Sequence, residues 1–177
     1  LILTKPLGSG VLFNATRAGK FPLKELERDV LPIIASLNGL AMEKALQYDL
    51  NACTDITGFG LLGHLLEVAS GSGVAATVHY DTLPFYSGAR EMYKKGQTTG
   101  SNKANRALVS RFSVKKSREL SAVEEELLYD PQTSGGLLLS LPLDQAKKLT
   151  GELQESGVQQ ARLIGEVRAG AVEVVIE

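Results

Sequence analysis

Hydrophobic and polar positions change period several times along the chain, and each change predicts an element. Leu1-Ile2-Leu3-Thr4 is an apolar run of strand character. Lys5-Pro6 breaks it, because a proline disfavours helical geometry in the residue before it. Gly8-Ser9-Gly10 reads as a flexible loop and Val11-Leu12-Phe13-Asn14-Ala15 as a second strand, with the glycines marking a hairpin or sharp corner. Over residues 23–48 the apolar positions Leu26, Val30, Ile33, Ile34, Leu37, Leu40, Ala41, Ala45 and Leu46 follow helical spacing. Pro32 predicts a kink there or the true start of the helix, and Gly39 weakens it. Residues 50–56 read as a central, buried strand.

Thr57-Gly58-Phe59-Gly60 then opens a helix over 61–69, which Gly71-Ser72-Gly73 ends. Residues 74–79 read as a strand and 88–94 as a short helix. The polar run 96–105 reads as a mobile surface loop, and the basic stretch 111–118 as a solvated segment. Ser121 and Glu124 form a capping-box pattern before a helix over 122–128. Residues 137–141 are an apolar strand, and Pro142 and Asp144 begin a helix over 143–155 with Ala146, Leu149 and Leu153 inward. Two strands, 161–167 and 171–176, follow, joined by a tight hairpin at Arg168-Ala169-Gly170. The sum is an α+β fold: a two-layer mixed β-sheet with helices packed mainly on one face.

Composition narrows the function classes. A net charge of −1 from 19 basic and 20 acidic residues leaves no electrostatic footprint for nucleic acid or an anionic membrane. The absence of Trp and an aromatic content of 6% argue against a base-stacking platform. A single cysteine, Cys53, excludes an internal disulfide and fits a reducing, cytoplasmic setting. No apolar run reaches the roughly 20 residues of a membrane span. The first residues lack an initiator Met and begin in strand-like sequence, so the chain is expected to be a piece of a longer protein.

The stretch with most chemistry is Ala52-Cys53-Thr54-Asp55-Ile56-Thr57-Gly58-Phe59-Gly60-Leu61-Leu62-Gly63-His64. An acid at a strand end, beside threonines and helix-opening glycines, can hold a metal and a phosphate together. Asp55 is thus either a metal ligand or a cap on the next helix. Thr54 and Thr57 donate to a phosphate oxygen or cap, and Gly58 and Gly60 admit a phosphate to the helix start. The letters G-F-G-L-L-G have dinucleotide spacing, but no second parallel strand with a suitable acid follows, so that reading is rejected. Cys53 as a nucleophile would need a histidine partner, the chain has only His64 and His79, and the role is disfavoured. Asp130-Pro131-Gln132-Thr133-Ser134-Gly135-Gly136 is either a well-made turn or an anion site built on Thr133, Ser134 and Gly135.

Three stretches, 3–10 (Leu-Thr-Lys-Pro-Leu-Gly-Ser-Gly), 52–64 and 130–138, closely resemble selenophosphate synthetase (selenide, water dikinase) over its C-terminal domain. The wider superfamily is that of aminoimidazole ribonucleotide synthetase. The Thr-Gly-Phe-Gly-Leu and Thr-Ser-Gly-Gly runs are shared across it, whereas Lys-Pro-Leu-Gly and Ala-Cys-Thr-Asp point to the selenium branch. The resemblance covers essentially residues 1–177. It implies selenophosphate made from selenide, ATP and water, with AMP and phosphate released and magnesium required. It also implies a homodimer whose N-terminal domain, absent here, carries most of the ATP site and the catalytic Cys or selenocysteine and Lys. Cys53 and Lys5 are not those residues; Asp55 matches a family aspartate that helps bind magnesium. The family's proline near Lys103 has no counterpart here. The alternatives are another ATP-using member, of purine-biosynthetic or hydrogenase-maturation type, or a purely structural packing module.

Overall fold

The structure is a computed structural model and describes residues 1–177. Its α+β architecture contains two four-stranded sheets. The first joins β1 (Ile2–Leu3), β2 (Ala52–Asp55), β5 (Leu137–Ser140) and β6 (Arg162–Leu163) in the order β2-β5-β1-β6, antiparallel throughout. The second joins β3 (Val74–Val78), β4 (Val114–Lys116), β7 (Gly165–Ala169) and β8 (Glu173–Ile176) in the order β4-β8-β3-β7. There β3 runs antiparallel to β7 and parallel to β8, and β4 runs parallel to β8.

The two inner strands of the first sheet, β1 and β5, are buried on both faces. Leu3 and Leu138 point into the main core with Ile56, Leu61, Leu65, Val78 and Ile176. Ile2, Leu137 and Leu139 point the other way, under α4 (Gly39–Ala45) and α9 (Leu143–Glu155). Successive strand side chains alternate faces, so an unbroken apolar run such as Leu137-Leu138-Leu139 requires cover on both sides. A third core gathers α1 (Ser9–Arg17) and α6 (Ala89–Lys94) with Leu26, Val30, Ile34 and Leu127.

Several elements depart from the sequence reading. Residues 11–15 are helical, inside α1, and not a strand. Val11, Leu12 and Ala15 share its buried face, and a short apolar run does not distinguish the two structures by pattern. Gly8 and Gly10 therefore open a helix instead of a hairpin; Gly8 adopts φ 105°, where L side chains are strained. The single helix over 23–48 is broken into α2 (Leu23–Glu25), a π turn (Leu26–Val30), α3 (Leu31–Ala35) and α4. Residues 23–35 stay helical throughout, and Pro32 stands directly after the π turn, in the first turn of α3. β2 is an edge strand, not a central one: it pairs only with β5, and Cys53 and Asp55 are exposed. No hairpin joins β7 to β8, because β3 lies between them. The run 96–105 is loop only at its start: α7 (Asn102–Val109) begins within it, and Asn102 and Asn105 are buried. The basic segment 111–118 contains β4, although its lysines are exposed.

The helices with clear end signals match their patterns. α5 (Gly60–Ser72) stops at Gly73 in the left-handed region. α8 (Ala122–Tyr129) begins with a complete capping box, Ser121 answering Glu124 N–H and Glu124 answering Ser121 N–H. α9 covers 143–155 as its spacing predicts.

Candidate functional site

The three sequence stretches singled out above lie side by side. Thr4 N donates to Leu137 O at 3.0 Å, and Leu137 N donates to Thr4 Oγ1 at 2.7 Å. On the other side of the same segment, Ile56 N donates to Gly136 O, and Gln132 N to Thr57 O, both at 2.8 Å. The contact is close enough to dictate residue type. A Cβ on Gly135 would stand 1.8 Å from Ile56 O, and one on Gly136 2.4 Å from Lys5 N.

Asp130 is fully buried and accepts four hydrogen bonds: from Gly10 N (3.0 Å), Val11 N (2.9 Å), Tyr93 Oη (2.6 Å) and Gln132 Nε2 (2.9 Å). Gln132 Oε1 accepts from Gly8 N, Ser9 N and Ser9 Oγ at 3.0–3.2 Å. The free amides that open α1 are thereby answered by the protein's own carboxylate and amide. Burial pushes the Asp130 carboxyl up from 3.8 to about 6; Tyr93, Gln132 and the two amides pull the other way. This part of the 130–136 segment is structural.

Its remaining members diverge. Gly135 is buried, its carbonyl accepting from Asn38 Nδ2 at 2.9 Å. Thr133 and Ser134 are exposed, and neither hydroxyl has a partner within the chain. Ser134 holds φ 47°, uncommon for a residue with a side chain. Thr133 stands at a polar cleft of about 400 Å³ with Gly10, Asn14, Arg17 and Thr99. Arg17 Nη2 donates to Asn14 Oδ1 at 2.8 Å. Asn14 and Arg17 were hidden in the stretch read as a strand and its end; only the helical register brings them next to Thr133.

The turn after β2 is held from beneath. His64 Nε2 lies 3.2 Å from Thr57 Oγ1 and accepts from Phe59 N at 3.4 Å, while Nδ1 faces Glu67 Oε2 at 2.9 Å. This network assigns the ring proton to Nδ1. Asn105 Nδ2 donates to both Gly58 O (2.8 Å) and Tyr129 O (2.9 Å). Gly60 is buried at φ 71°, where a Cβ would meet the Tyr129 carbonyl carbon at 2.8 Å. Gly58 is exposed with nothing near a Cβ, and Thr54 and Thr57 are half-buried.

Asp55 emerges from this frame differently. It is exposed at the end of β2, opposite Leu137, and its carboxylate makes no hydrogen bond or ion pair. A hard, unpaired oxygen donor on a fixed strand end fits magnesium, which is commonly bound by one or two carboxylates plus phosphate oxygens and water. No group of three or more His, Cys, Asp or Glu side chains that could hold a metal exists in the chain. Asp55 would therefore be a single contributor. Beside it, although Cys53 is exposed as a residue, desolvation of its sulfur and then the Asp55 charge push the thiol up, away from nucleophilic use.

The family model for AIR synthase related protein, C-terminal domain, matches residues 1–177. The chain belongs to that family. Within it, the chain is similar to proteins named selenide, water dikinase. It is 42% identical over 156 residues to that of Treponema denticola, covering 88% of this chain and 43% of that protein. It is 39% identical over 172 residues to that of Myxococcus xanthus, covering 96% and 48%, and 38% identical over 167 residues to that of Clostridioides difficile, covering 94% and 47%. The chain spans about half the length of these relatives. Among solved structures, hydrogenase maturation protein HypE in complex with ATP aligns with TM-score 0.68 at 19% identity, over 99% of this chain and 46% of that one. Thiamine-monophosphate kinase from Stenotrophomonas maltophilia aligns with TM-score 0.65 at 20% identity, over 99% and 49%. These two share the fold of this chain over nearly its whole length. No helix is long and apolar enough to cross a membrane.

Proposed function

We propose that this domain is the C-terminal half of a cytoplasmic enzyme that makes selenophosphate from selenide, ATP and water, with AMP and phosphate as the other products. Its part is to supply Asp55 as a magnesium ligand and to enclose the substrates. The N-terminal domain of the same protein, in a homodimer, brings the catalytic residues and most of the ATP site. The observation that carries the reading is the free Asp55 carboxylate at the end of β2, within a chain 42% identical over 156 residues to a selenide, water dikinase.

Magnesium held there would neutralise phosphate charge that an attacking anion must otherwise overcome. Thr54, Thr57 and Gly58 line the same turn, with Gly60 as its buried pivot. Thr133 and Ser134 offer unpartnered hydroxyls for phosphate oxygens, with Gly135 fixing their loop. Alone, the domain is expected to be inactive and to bind Mg-ATP weakly or not at all.

The test is Asp55→Asn in the full-length protein. Selenide-dependent ATP turnover should fall about 100-fold or more, and the magnesium requirement should rise, with folding intact. Unchanged activity and magnesium dependence would identify a packing module instead. The fold shared with HypE and thiamine-monophosphate kinase favours, as second reading, another ATP-using member of the superfamily. A Cys or selenocysteine in a glycine-rich segment upstream would decide for selenium.

A further inference from the structure

Lys5 is the one charged residue lining a cleft of about 350 Å³ between the α3–α4 corner, the end of β1 and the turn at 156–160. The residue is 4% exposed. Its ammonium donates to Ser36 O at 2.8 Å and to Ser134 O at 3.0 Å. An ammonium has three N–H donors, so one is answered by no protein atom. None of the ion pairs in the fold includes Lys5. Two carbonyl dipoles orient the part-buried ammonium but leave its charge without a counter-ion.

The walls suit an anion that completes this pair. No Asp or Glu lines the cleft to compete for the ammonium. Ser36, Asn38 and Gln160 offer neutral polar groups at its sides, and Ile33 and Leu40 an apolar wall. We propose that this cleft is an oxyanion-binding site in which Lys5 supplies the charge and a phosphate or carboxylate head group is the ligand. The site is built from residues the magnesium reading does not use. Its ammonium also holds the carbonyl of Ser134, so an occupant would be felt at the loop that presents Thr133.

The test titrates the 177-residue chain by calorimetry with inorganic phosphate, and separately with acetate, in matched chloride buffer at pH 7. Saturable binding at one equivalent is expected, and whichever anion binds more tightly identifies the head group. Lys5→Met should weaken it about tenfold or more, as expected for loss of a charge-assisted hydrogen bond. Leu40→Trp, at a half-exposed wall position, narrows the cleft without touching the ammonium and should weaken binding similarly. Asp55→Asn should leave binding unchanged, which separates this site from the proposed magnesium position. The proposal is overturned if neither anion binds saturably, or if Leu40→Trp binds as the wild type does. It is also overturned if Lys5→Met folds and binds as the wild type does.

Discussion

Replacing Gly135 by alanine measures how rigidly the 130–136 segment is locked against β2. The new Cβ would lie 1.8 Å from Ile56 O, whereas real Cβ contacts essentially never fall below 3.0 Å. The two backbones must separate by about 1.2 Å to accept it, and neither belongs to a flexible side chain. That retreat takes the Ile56 N–Gly136 O bond from 2.8 Å to about 4 Å, beyond hydrogen-bond reach. The neighbouring Gln132 N–Thr57 O bond, also 2.8 Å, is strained with it. A buried polar group deprived of its partner costs about 1–3 kcal/mol, so the pair together cost about 4 kcal/mol. In a chain of this size that lowers Tm by about 10 °C. The comparison variant is Gly151→Ala. Gly151 lies inside α9, and a methyl added there would meet nothing within 4 Å, so alanine should stabilise by about 0.5–1 kcal/mol. Urea unfolding followed by far-ultraviolet circular dichroism reads both changes. A Gly135→Ala midpoint within about 0.5 kcal/mol of wild type would refute the claim that this contact is rigid.

Three further outcomes follow from the polar network. The Asp130 carboxyl, raised from 3.8 to about 6, keeps its proton to higher pH in the folded chain than in the unfolded one. Its contribution is fully present below about 3.8 and is lost as pH rises through about 6, a difference of about 3 kcal/mol at pH 7. The stability difference between wild type and Asp130→Asn should therefore change by about 2 kcal/mol between pH 4 and 7, the remainder appearing only below pH 3.8; a constant difference would show that Asp130 titrates normally. Asn105→Leu leaves the carbonyls of Gly58 and Tyr129 without their shared donor and should cost about 2 kcal/mol in urea unfolding. Ser121→Ala removes half of the capping box and should cost about 1 kcal/mol.

Helices with terminal signals were legible from sequence because their ends are chemically marked. The Ser121–Glu124 box, Gly73 and Pro142 each name a boundary, and α5, α8 and α9 follow them closely. The run 11–15 was not legible, since five apolar-rich residues suit either period and the deciding cap sits 119 residues away in Asp130. The order of the second sheet was equally hidden. Arg168-Ala169-Gly170 has turn chemistry, but pairing is decided by Val174 and Ile176, which bury in the main core beside Val78. Asn102 and Asn105 misled most: asparagine in a polar run signals a loop, yet here both amides satisfy buried partners.

The same contrast separates the letters that carry the family resemblance. Most of them are consumed by the fold. Asp130 and Gln132 cap α1, Gly135 and Gly136 admit neighbouring backbone, Gly60 packs on Tyr129, and His64 holds Phe59 N. Asp55, Thr133 and Ser134 are left over: exposed, with side chains that no group in the chain answers, on backbone that their neighbours make rigid. The fold spends many buried bonds on fixing positions 55 and 133–134 while leaving their side chains free, which is what the proposed role requires of them. Stability measurements alone would pass over them. Asp55→Asn should unfold within about 0.5 kcal/mol of wild type, because an exposed, unpaired side chain contributes little, and its effect should emerge only in the turnover of the longer protein.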